Sequence, residues 1–281
     1  MKKSLLALAV LSAFAGAASA QSSVTLSGRV DAGVIRSGGA WSLGGSQSGY
    51  NALTFSGRED LGGGMNALLA LNHRFNINNG TINPGGNASG DRSQFYRNSW
   101  VGLGGGFGDV RLGRILMPLQ DMNGGFDPFD TGYVATTHTG GILATVRANN
   151  AIYYRTPSLG GFFVHAAIAA GDQQVFNTAT QTYSSGAERP VGVAAGYYAG
   201  PFRVGVAYDK NAADLMTKAV YGSFNAGFAT FMVQFENCDV SASDDVSRWS
   251  LGAKVPLGAV TLKGGFTKWS DEEVKKISAW A

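Results

Sequence analysis

The side chains that could perform chemistry in this sequence are few and far apart. The three histidines, His73, His138 and His165, form no His-Glu-x-x-His motif, and their separation does not suggest a zinc site or a catalytic triad. The glycine-rich segments contain neither a complete G-x-G-x-x-G nor a G-K-S/T phosphate-binding motif. Asp127 and Asp130 could form a calcium site or a general-acid pair, but two solvated carboxylates on a polar loop explain them more simply. The sequence therefore predicts no enzyme, no metal site and no cofactor.

Charge and cysteine content exclude further classes. Charged residues make up 15% of the chain, against about 25% in an average soluble protein. The formal net charge of +3 includes Lys2 and Lys3, and the basic residues are not clustered as they are in nucleic-acid-binding proteins. The single cysteine, Cys238, cannot form an internal disulfide, and we interpret it as an incidental residue.

Residues 1–20 have the organisation of a signal peptide. Lys2 and Lys3 precede an apolar stretch, and the sequence Ala-Ser-Ala before Gln21 is a small-residue cleavage site. The alternative, an N-terminal membrane anchor, requires a longer apolar run. We therefore expect an exported protein in which residues 21–281 form one domain.

A two-residue alternation of side-chain type runs through this domain. In residues 24–35, apolar residues such as Val24 and Leu26 alternate with polar residues such as Thr25 and Ser27, as in a strand with one apolar and one polar face. The apolar face would contact a core in a soluble sandwich and lipid in a transmembrane barrel. No segment after the signal peptide offers the roughly 20 consecutive apolar residues that a spanning helix needs.

The links between the strands favour the barrel. Short glycine-rich links alternate with longer polar segments along the chain. The short links are 58–64, 104–108, 157–161, 199–201, 225–227 and 256–258, and the long segments are 36–49, 76–94, 117–147, 172–188, 209–216 and 237–247. This pattern places the short turns at one end of the sheet and the long loops at the other, as in transmembrane barrels but not in Greek-key sandwiches.

The strands predicted between these links have the length of a tilted membrane crossing. There are about thirteen, with residues 274–280 as the start of a further strand. They are 24–36, 50–58, 64–75, 95–103, 108–116, 148–156, 162–171, 190–198, 202–209, 217–225, 228–236, 248–255 and 259–269.

Several motifs along the domain are then informative as a set. They are Val24–Gly33, Gly57–Gly64, Ser99–Leu103, Phe107–Val110, Leu112–Arg114, Asp127–Phe129, Tyr154–Pro157 and Gly161–Phe162. Together they resemble the β-proteobacterial, trimeric type of Gram-negative general porin over essentially the whole mature chain. The resemblance implies an all-β fold: a transmembrane antiparallel up-and-down β-barrel of sixteen strands, located in the outer membrane as a homotrimer, with the third long loop folded inward as a constriction.

The resemblance also implies basic side chains on the lumen wall that face acidic side chains on the constriction loop. Alternation supports this for Arg29, which is out of phase with Leu26, and places Arg97 on the side of Ser99. With Arg74 added because it shares a polar side with Asn72, the candidate basic residues are Arg29, Arg74, Arg97, Arg114 and Arg147, and the candidate acids are Asp121, Asp127 and Asp130. The alternative for each is a solvated or ion-paired lumen residue with little influence on flux.

Two positions depart from the family pattern. Ala52 stands where the family commonly has an arginine, and the chain stops at Trp280-Ala281 rather than at the terminal aromatic residue of the family's closing strand. From the predicted strand count we expect a C-terminally truncated barrel, because single-chain bacterial barrels have even strand numbers.

The function that the sequence predicts is passive diffusion of ions and small hydrophilic solutes across the outer membrane, through a charged constriction. Two alternatives stay open at this point: an outer-membrane barrel enzyme, and a secreted soluble β-sandwich or lectin. The first would need a catalytic cluster on one rim of the barrel, and the second would need a sealed apolar core.

Overall fold

The structure is a computed structural model that describes residues 23–37, 39–44, 50–82, 95, 97–129, 147–170, 174–177, 182–185, 188–241, 244–270 and 275–280. Its elements are almost all strands. They are β1 (Ser23–Arg29), β2 (Gly33–Ser37), β3 (Ala40–Gly44), β4 (Ala52–Gly62), β5 (Met65–Arg74), β6 (Ser99–Gly105), β7 (Gly108–Leu116), α1 (Pro118–Gly124), β8 (Arg147–Arg155), β9 (Phe162–Ala169), β10 (Gln174–Asn177), β11 (Thr182–Ser185), β12 (Val191–Ala199), β13 (Phe202–Lys210), β14 (Met216–Asn225), β15 (Thr230–Ser241), β16 (Asp244–Leu257), β17 (Val260–Trp269) and β18 (Lys275–Trp280).

Fourteen of these strands form one antiparallel sheet in the order β1-β4-β5-β6-β7-β8-β9-β12-β13-β14-β15-β16-β17-β18. Each strand therefore pairs with its neighbour along the chain, apart from two hairpins, β2-β3 and β10-β11, that form separate two-stranded sheets. The described residues place β1 and β18 at the two ends of this order. This is the predicted up-and-down topology, and β18 is the strand expected to begin near residue 274.

Tight glycine turns join the strands at one end of the sheet. Between β4 and β5, Gly62, Gly63 and Gly64 have φ of 79°, 60° and 78°, a conformation that residues with a Cβ rarely adopt. The other short links, near residues 106, 160, 200, 227 and 258, lie at the same end because the sheet is antiparallel throughout. The predicted short turns are confirmed.

The predicted long segments were wrong in three places. Segment 36–49 contains the end of β2 and all of β3, since alternation continues there after a break at residues 30–32. Segment 209–216 is only a compact turn, in which the Asn211 side chain accepts hydrogen bonds from the backbone of Ala213 and Leu215. Most of segment 237–247 is strand, because β15 extends to Ser241 and β16 begins at Asp244.

In the part of the chain that the structure describes, one short helix interrupts the strands. Helix α1 begins at Pro118, where proline costs nothing because the first helical N–H has no partner, and it ends at Gly124. Five of its residues are buried: Pro118, Leu119, Gln120, Met122 and Asn123. The sequence predicted an inward loop here but not a helix. Within the described part of the chain, no helix has the length and apolar composition needed to cross a bilayer.

Candidate functional site

The two faces of the sheet differ in polarity in the opposite sense from a soluble protein: the exposed face is apolar, and the buried face carries small and polar side chains. On β13, Phe202, Val204 and Val206 are more than half exposed, whereas Ala207 and Asp209 on the other face are 7% and 1% exposed. The same alternation of exposed apolar and buried small or polar residues occurs on β9, β12, β14, β15 and β16. We call the exposed apolar face the outer face and the other the inner face.

Residues Met117–Phe129, which we call the inner segment, lie on the inner face. Helix α1 packs against β9, β12 and β13. Farther along, the Phe126 ring stacks on Tyr221 of β14 at a centroid distance of 5.2 Å, and the Phe126 carbonyl accepts a 2.6 Å hydrogen bond from Gln234 of β15. The inner segment therefore crosses successive strands on the inner face.

Small residues on the inner face provide room for this segment. A Cβ added at Gly205 of β13 would collide with the Met122 thioether, and one at Gly252 of β16 would lie 2.6 Å from Pro128 Cγ. Glycine at these positions thus lets the inner segment approach the wall closely. Ala194, Ala207 and Ala219 join Leu119 and Met122 in the same buried cluster.

A buried polar network anchors the middle of the inner segment. Glu236 of β15 is 1% exposed, forms an ion pair with Arg248 of β16, and accepts hydrogen bonds from Asn123 Nδ2 at 3.0 Å and from the Tyr221 hydroxyl at 3.3 Å. A buried carboxylate is tolerated only when it is paired and hydrogen-bonded in this way. The network ties α1 to three strands of the sheet.

A second anchor holds the start of α1. Asp121 Oδ2 accepts a 3.1 Å hydrogen bond from the Tyr153 hydroxyl and lies 3.4 Å from His165 Nδ1. Burial raises the pKa of Asp121, but the hydrogen bonds from His165 and Tyr153 and the charges of His165 and Arg111 outweigh it, so the pKa lies below its ordinary value. The carboxylate form is therefore the favoured one.

Comparisons with known proteins agree with this architecture. A protein-family model described as Gram-negative porin matches residues 7–280. The chain belongs to this porin family. It is 34% identical to an outer membrane porin of Delftia acidovorans over 92% of this chain and 77% of that protein. It is 29% identical to an outer membrane porin of Bordetella pertussis over 94% of this chain and 74% of that one.

A solved structure, the anion-selective porin from Comamonas acidovorans, is also similar to this porin. It matches with a TM-score of 0.71 and 30% identity, over 89% of this chain and 79% of that chain. Porins of Rhodopseudomonas blastica, at 12–13% identity and TM-scores near 0.6, share the fold. This porin therefore has the β-barrel fold of its family, is an outer-membrane protein, and is a passive diffusion channel rather than a soluble sandwich.

Three of the predicted basic residues, Arg29, Arg74 and Arg97, lie in one region of the structure. Arg29 of β1 and Arg74 of β5 lie opposite the two sides of Ala52 of β4, so the three form one row on the inner face. The Arg74 guanidinium stacks 3.1 Å from the Tyr50 ring centroid, and that of Arg97 lies 5.2 Å from the same ring. Arg97 precedes β6, so its position follows from this stacking and not from strand alternation.

The other two predicted basic residues lie farther along the sheet. Arg147 donates a 3.3 Å hydrogen bond from Nε to Asn98 Oδ1. Arg114 of β7 donates a hydrogen bond from Nη1 to Asn149 Oδ1. In the sheet it lies opposite Ser99 of β6, which is on the same side of its strand as the exposed Val101. Strand alternation thus places Arg114 with the outer-face residues.

The three predicted acidic residues do not form one group. Asp121 lies at the anchor described above. Asp127 is fully buried, and its Oδ1 accepts a 3.0 Å hydrogen bond from the Phe129 backbone, so it stabilises a turn of the inner segment. Asp130 lies outside the described residues.

Sequence reasoning missed several inner-face groups. Asp109 of β7 lies between two guanidinium groups, 2.6 Å from Arg111 Nε and 2.8 Å from Arg155 Nη2. His165 was noted only as an isolated histidine, and the pair Glu236–Arg248 was not singled out. The available signal was cross-strand register, because Glu236 and Arg248 are directly opposite in the β15-β16 hairpin.

Proposed function

We propose that this porin is an anion-favouring diffusion channel whose passage is narrowed by the inner segment. The observation that carries the proposal is an imbalance of accessible charge on the inner face. Basic side chains of Arg29, Arg58 and Arg203 are exposed there, whereas the carboxylates of Asp109 and Glu236 are buried against arginines. The similarity to the anion-selective porin from Comamonas acidovorans supports the same preference.

The inner segment supplies the narrowing. It occupies the inner face of β9 and β12 to β16, and the row of Arg29, Ala52 and Arg74 lies on β1, β4 and β5 at the far side of the strand order. We propose that Arg29, Arg74 and Arg97 provide the basic wall of the constriction and that Asp121 is the acid of the segment that faces solvent. Arg147 is paired with Leu116, on the same side of β7 as Arg114, and is therefore not part of this wall. Arginine suits this role because it stays protonated at every physiological pH. A charged lining of this kind biases ions by sign.

Assembly and processing form part of the same proposal. The exposed apolar outer face supports a lipid-embedded barrel, and we propose a homotrimer because the sequence resemblance implies that assembly. We also propose that residues 1–20 are removed as a signal peptide and that residues 21–281 form the barrel domain, which performs no catalysis.

Reversal potentials in planar bilayers test the anion preference. With the purified protein in a KCl gradient, we expect a chloride-over-potassium permeability ratio above one. The double variant Arg29→Gln/Arg58→Gln should move this ratio toward one, because it removes two exposed inner-face charges. Lys268→Gln is the matched control, since Lys268 lies on the side of exposed Leu262, the outer face of β17. A ratio below one for the unaltered protein contradicts the proposal.

A further inference from the structure

Asp209 of β13 carries a carboxyl group that is enclosed between the sheet and the start of the inner segment. It is 1% exposed and lies on the inner face, with Gly192 of β12 and Thr217 of β14 as its direct cross-strand neighbours. A Cβ added at Gly192 would collide with the Asp209 carboxyl group and would lie 2.8 Å from Pro118 Cδ. The carboxyl group therefore occupies the space above Gly192, next to the first residue of α1.

No cationic side chain of the described residues pairs with this carboxyl group. Neither of its oxygens has a side-chain hydrogen-bond partner in that part of the chain. The group that favours a negative charge there is the backbone N–H of Leu119, in the first turn of α1. Glu236 differs, because it is buried together with Arg248. A buried carboxylate without such a counter-charge takes up a proton instead of staying ionised.

The charged groups around Asp209 are engaged with other partners. The titratable residues that the surrounding elements place on the inner face are Asp121 of α1, His165 of β9, Tyr221 of β14, and Cys238 and Glu236 of β15. His165 lies beside Asp121, and Tyr221 donates its hydroxyl hydrogen to Glu236. Strand β12 contributes Gly192 and Ala194, which do not titrate. Lys210, next in sequence, is paired with Glu188 and Asp214.

We propose that Asp209 is a positioning residue of the constriction, and that as the neutral acid it holds the first turn of α1 against β12 and β13. In this form the carboxyl group fills the space between Gly192 and Pro118 and needs no counter-charge. The ionised form would have to reach water, and because the inner segment covers it, the start of α1 would have to move into the passage. The inference rests on the proposed narrowing by the inner segment, but not on the proposed anion preference.

Proton release on unfolding tests the neutral acid. Asp209 is ionised in the unfolded chain at neutral pH, so unfolding of the original protein should release one proton more than unfolding of Asp209→Asn. Urea titration in lipid vesicles gives the two unfolding equilibrium constants. Their ratio, original protein over Asp209→Asn, should rise about tenfold for each pH unit between about pH 6 and pH 8. A ratio that does not change with pH overturns the proposal.

Asp214→Asn is the matched control for this measurement. Asp214 lies in the turn after β13, its side chain is 67% exposed, and it forms an ion pair with Lys210. The same amide substitution at this position should leave the ratio independent of pH. Infrared spectra of the original protein at neutral pH are an independent measurement, and they should show the carbonyl band of a protonated carboxylic acid. Absence of this band overturns the proposal even if Asp209→Asn does not fold.

Single-channel conductance tests the positioning role. Asp209→Asn keeps the size and the neutral state of the group and should keep the conductance, whereas Asp209→Glu adds a methylene against Pro118 and should lower it. Gly192→Ala presses a Cβ against the same carboxyl group and gives the same test if Asp209→Glu does not fold. Unchanged conductance in both variants overturns the positioning role. A preference for potassium over chloride in the original protein would overturn the proposed function and leave the proton release unaffected.

Discussion

At the scale of single residues, the inner face separates charges that hold the fold from charges that meet solutes. Glu236 and Arg248 are 1% and 3% exposed and neutralise each other, and Asp109 is held between Arg111 and Arg155. These carboxylates contribute little to the field in the passage because their charges are compensated locally. The exposed basic side chains of the inner face then decide the sign of the electrostatic field in the passage.

The Glu236–Arg248 pair gives the first prediction. Arg248→Met leaves the Glu236 carboxylate buried without its counter-charge, and removing one partner of such a pair costs about 3–5 kcal/mol. The free energy of unfolding in lipid vesicles, measured by urea titration with tryptophan fluorescence, checks this. Glu236→Leu/Arg248→Leu should be less destabilised, since it leaves no uncompensated charge. Equal losses in the single and double variants would show that the pairing is not what matters.

A pH dependence follows from Asp121, which lies on α1 rather than on a spanning strand. Its pKa in the folded protein is below the ordinary value of 3.8, so the group binds protons more weakly folded than unfolded. Its stabilisation is therefore present above the unfolded pKa and is lost as the pH falls through the folded pKa. We expect the difference in unfolding free energy between the original protein and Asp121→Asn to shrink on acidification below about pH 4. A difference that stays constant or grows contradicts the anchor.

At the scale of elements, the strands were predictable and their long connections were not. Alternation identified β4, β5, β7 and β13 to within a few residues, because a strand with one face in lipid and one in water must alternate. It failed at residues 36–49 and 237–247, which contain strand residues beyond the predicted spans. Near residues 237–247, acidic residues such as Asp239 and Asp245 lie close to the buried Cys238 and Val246, so the polarity of the segment resembles that of a loop although one face is buried.

The family resemblance implied that the inner segment folds inward, but its contacts were beyond sequence reasoning, because they come from distant strands. Gly205 and Met122 illustrate this: nothing local marks Gly205 as the place where a thioether must fit. Only the register of the sheet and the path of the inner segment together bring these two residues into contact.

Replacing Gly205 with a larger residue tests the packing of the inner segment against β13. In Gly205→Val the new side chain takes the space of the Met122 thioether, which should move the inner segment into the passage and lower single-channel conductance, with a loss of about 1–3 kcal/mol in stability from overpacking. Met122→Ala in the same chain should restore conductance because it frees that space. Gly222→Val, on the outer face of β14 beside Val233, is the control and should conduct normally. Conductance that falls without rescue by Met122→Ala would point to a general loss of folding.

At the scale of the whole molecule, the apolar side chains turn outward and the polar ones inward. The aromatic pairs Phe162–Tyr197 and Phe202–Phe224, with centroids 4.3 Å and 4.9 Å apart, lie next to the short turns, where an interfacial girdle is expected. Composition and alternation alone could not decide which face meets lipid, since a sandwich has the same pattern. The short turns gathered at one end of the sheet favoured the barrel, and the exposure of Val204, Val206 and Val220 agrees with it.

The outward orientation predicts an asymmetry between two lysine substitutions. Val206 lies midway along β13, is 52% exposed on the outer face and is paired with the exposed Val220. Val206→Lys places a charge in the hydrocarbon and should cost about 2–4 kcal/mol, the range measured near the bilayer midplane of such barrels. Ser56→Lys, at a comparable depth of β4 on the inner face opposite Thr25, places the same charge in water and should cost far less. Unfolding in urea from lipid vesicles compares the two. Equal costs, or a larger cost at Ser56, would mean that the outer face does not contact lipid. The assignment of the sheet as a membrane-spanning channel would then be wrong.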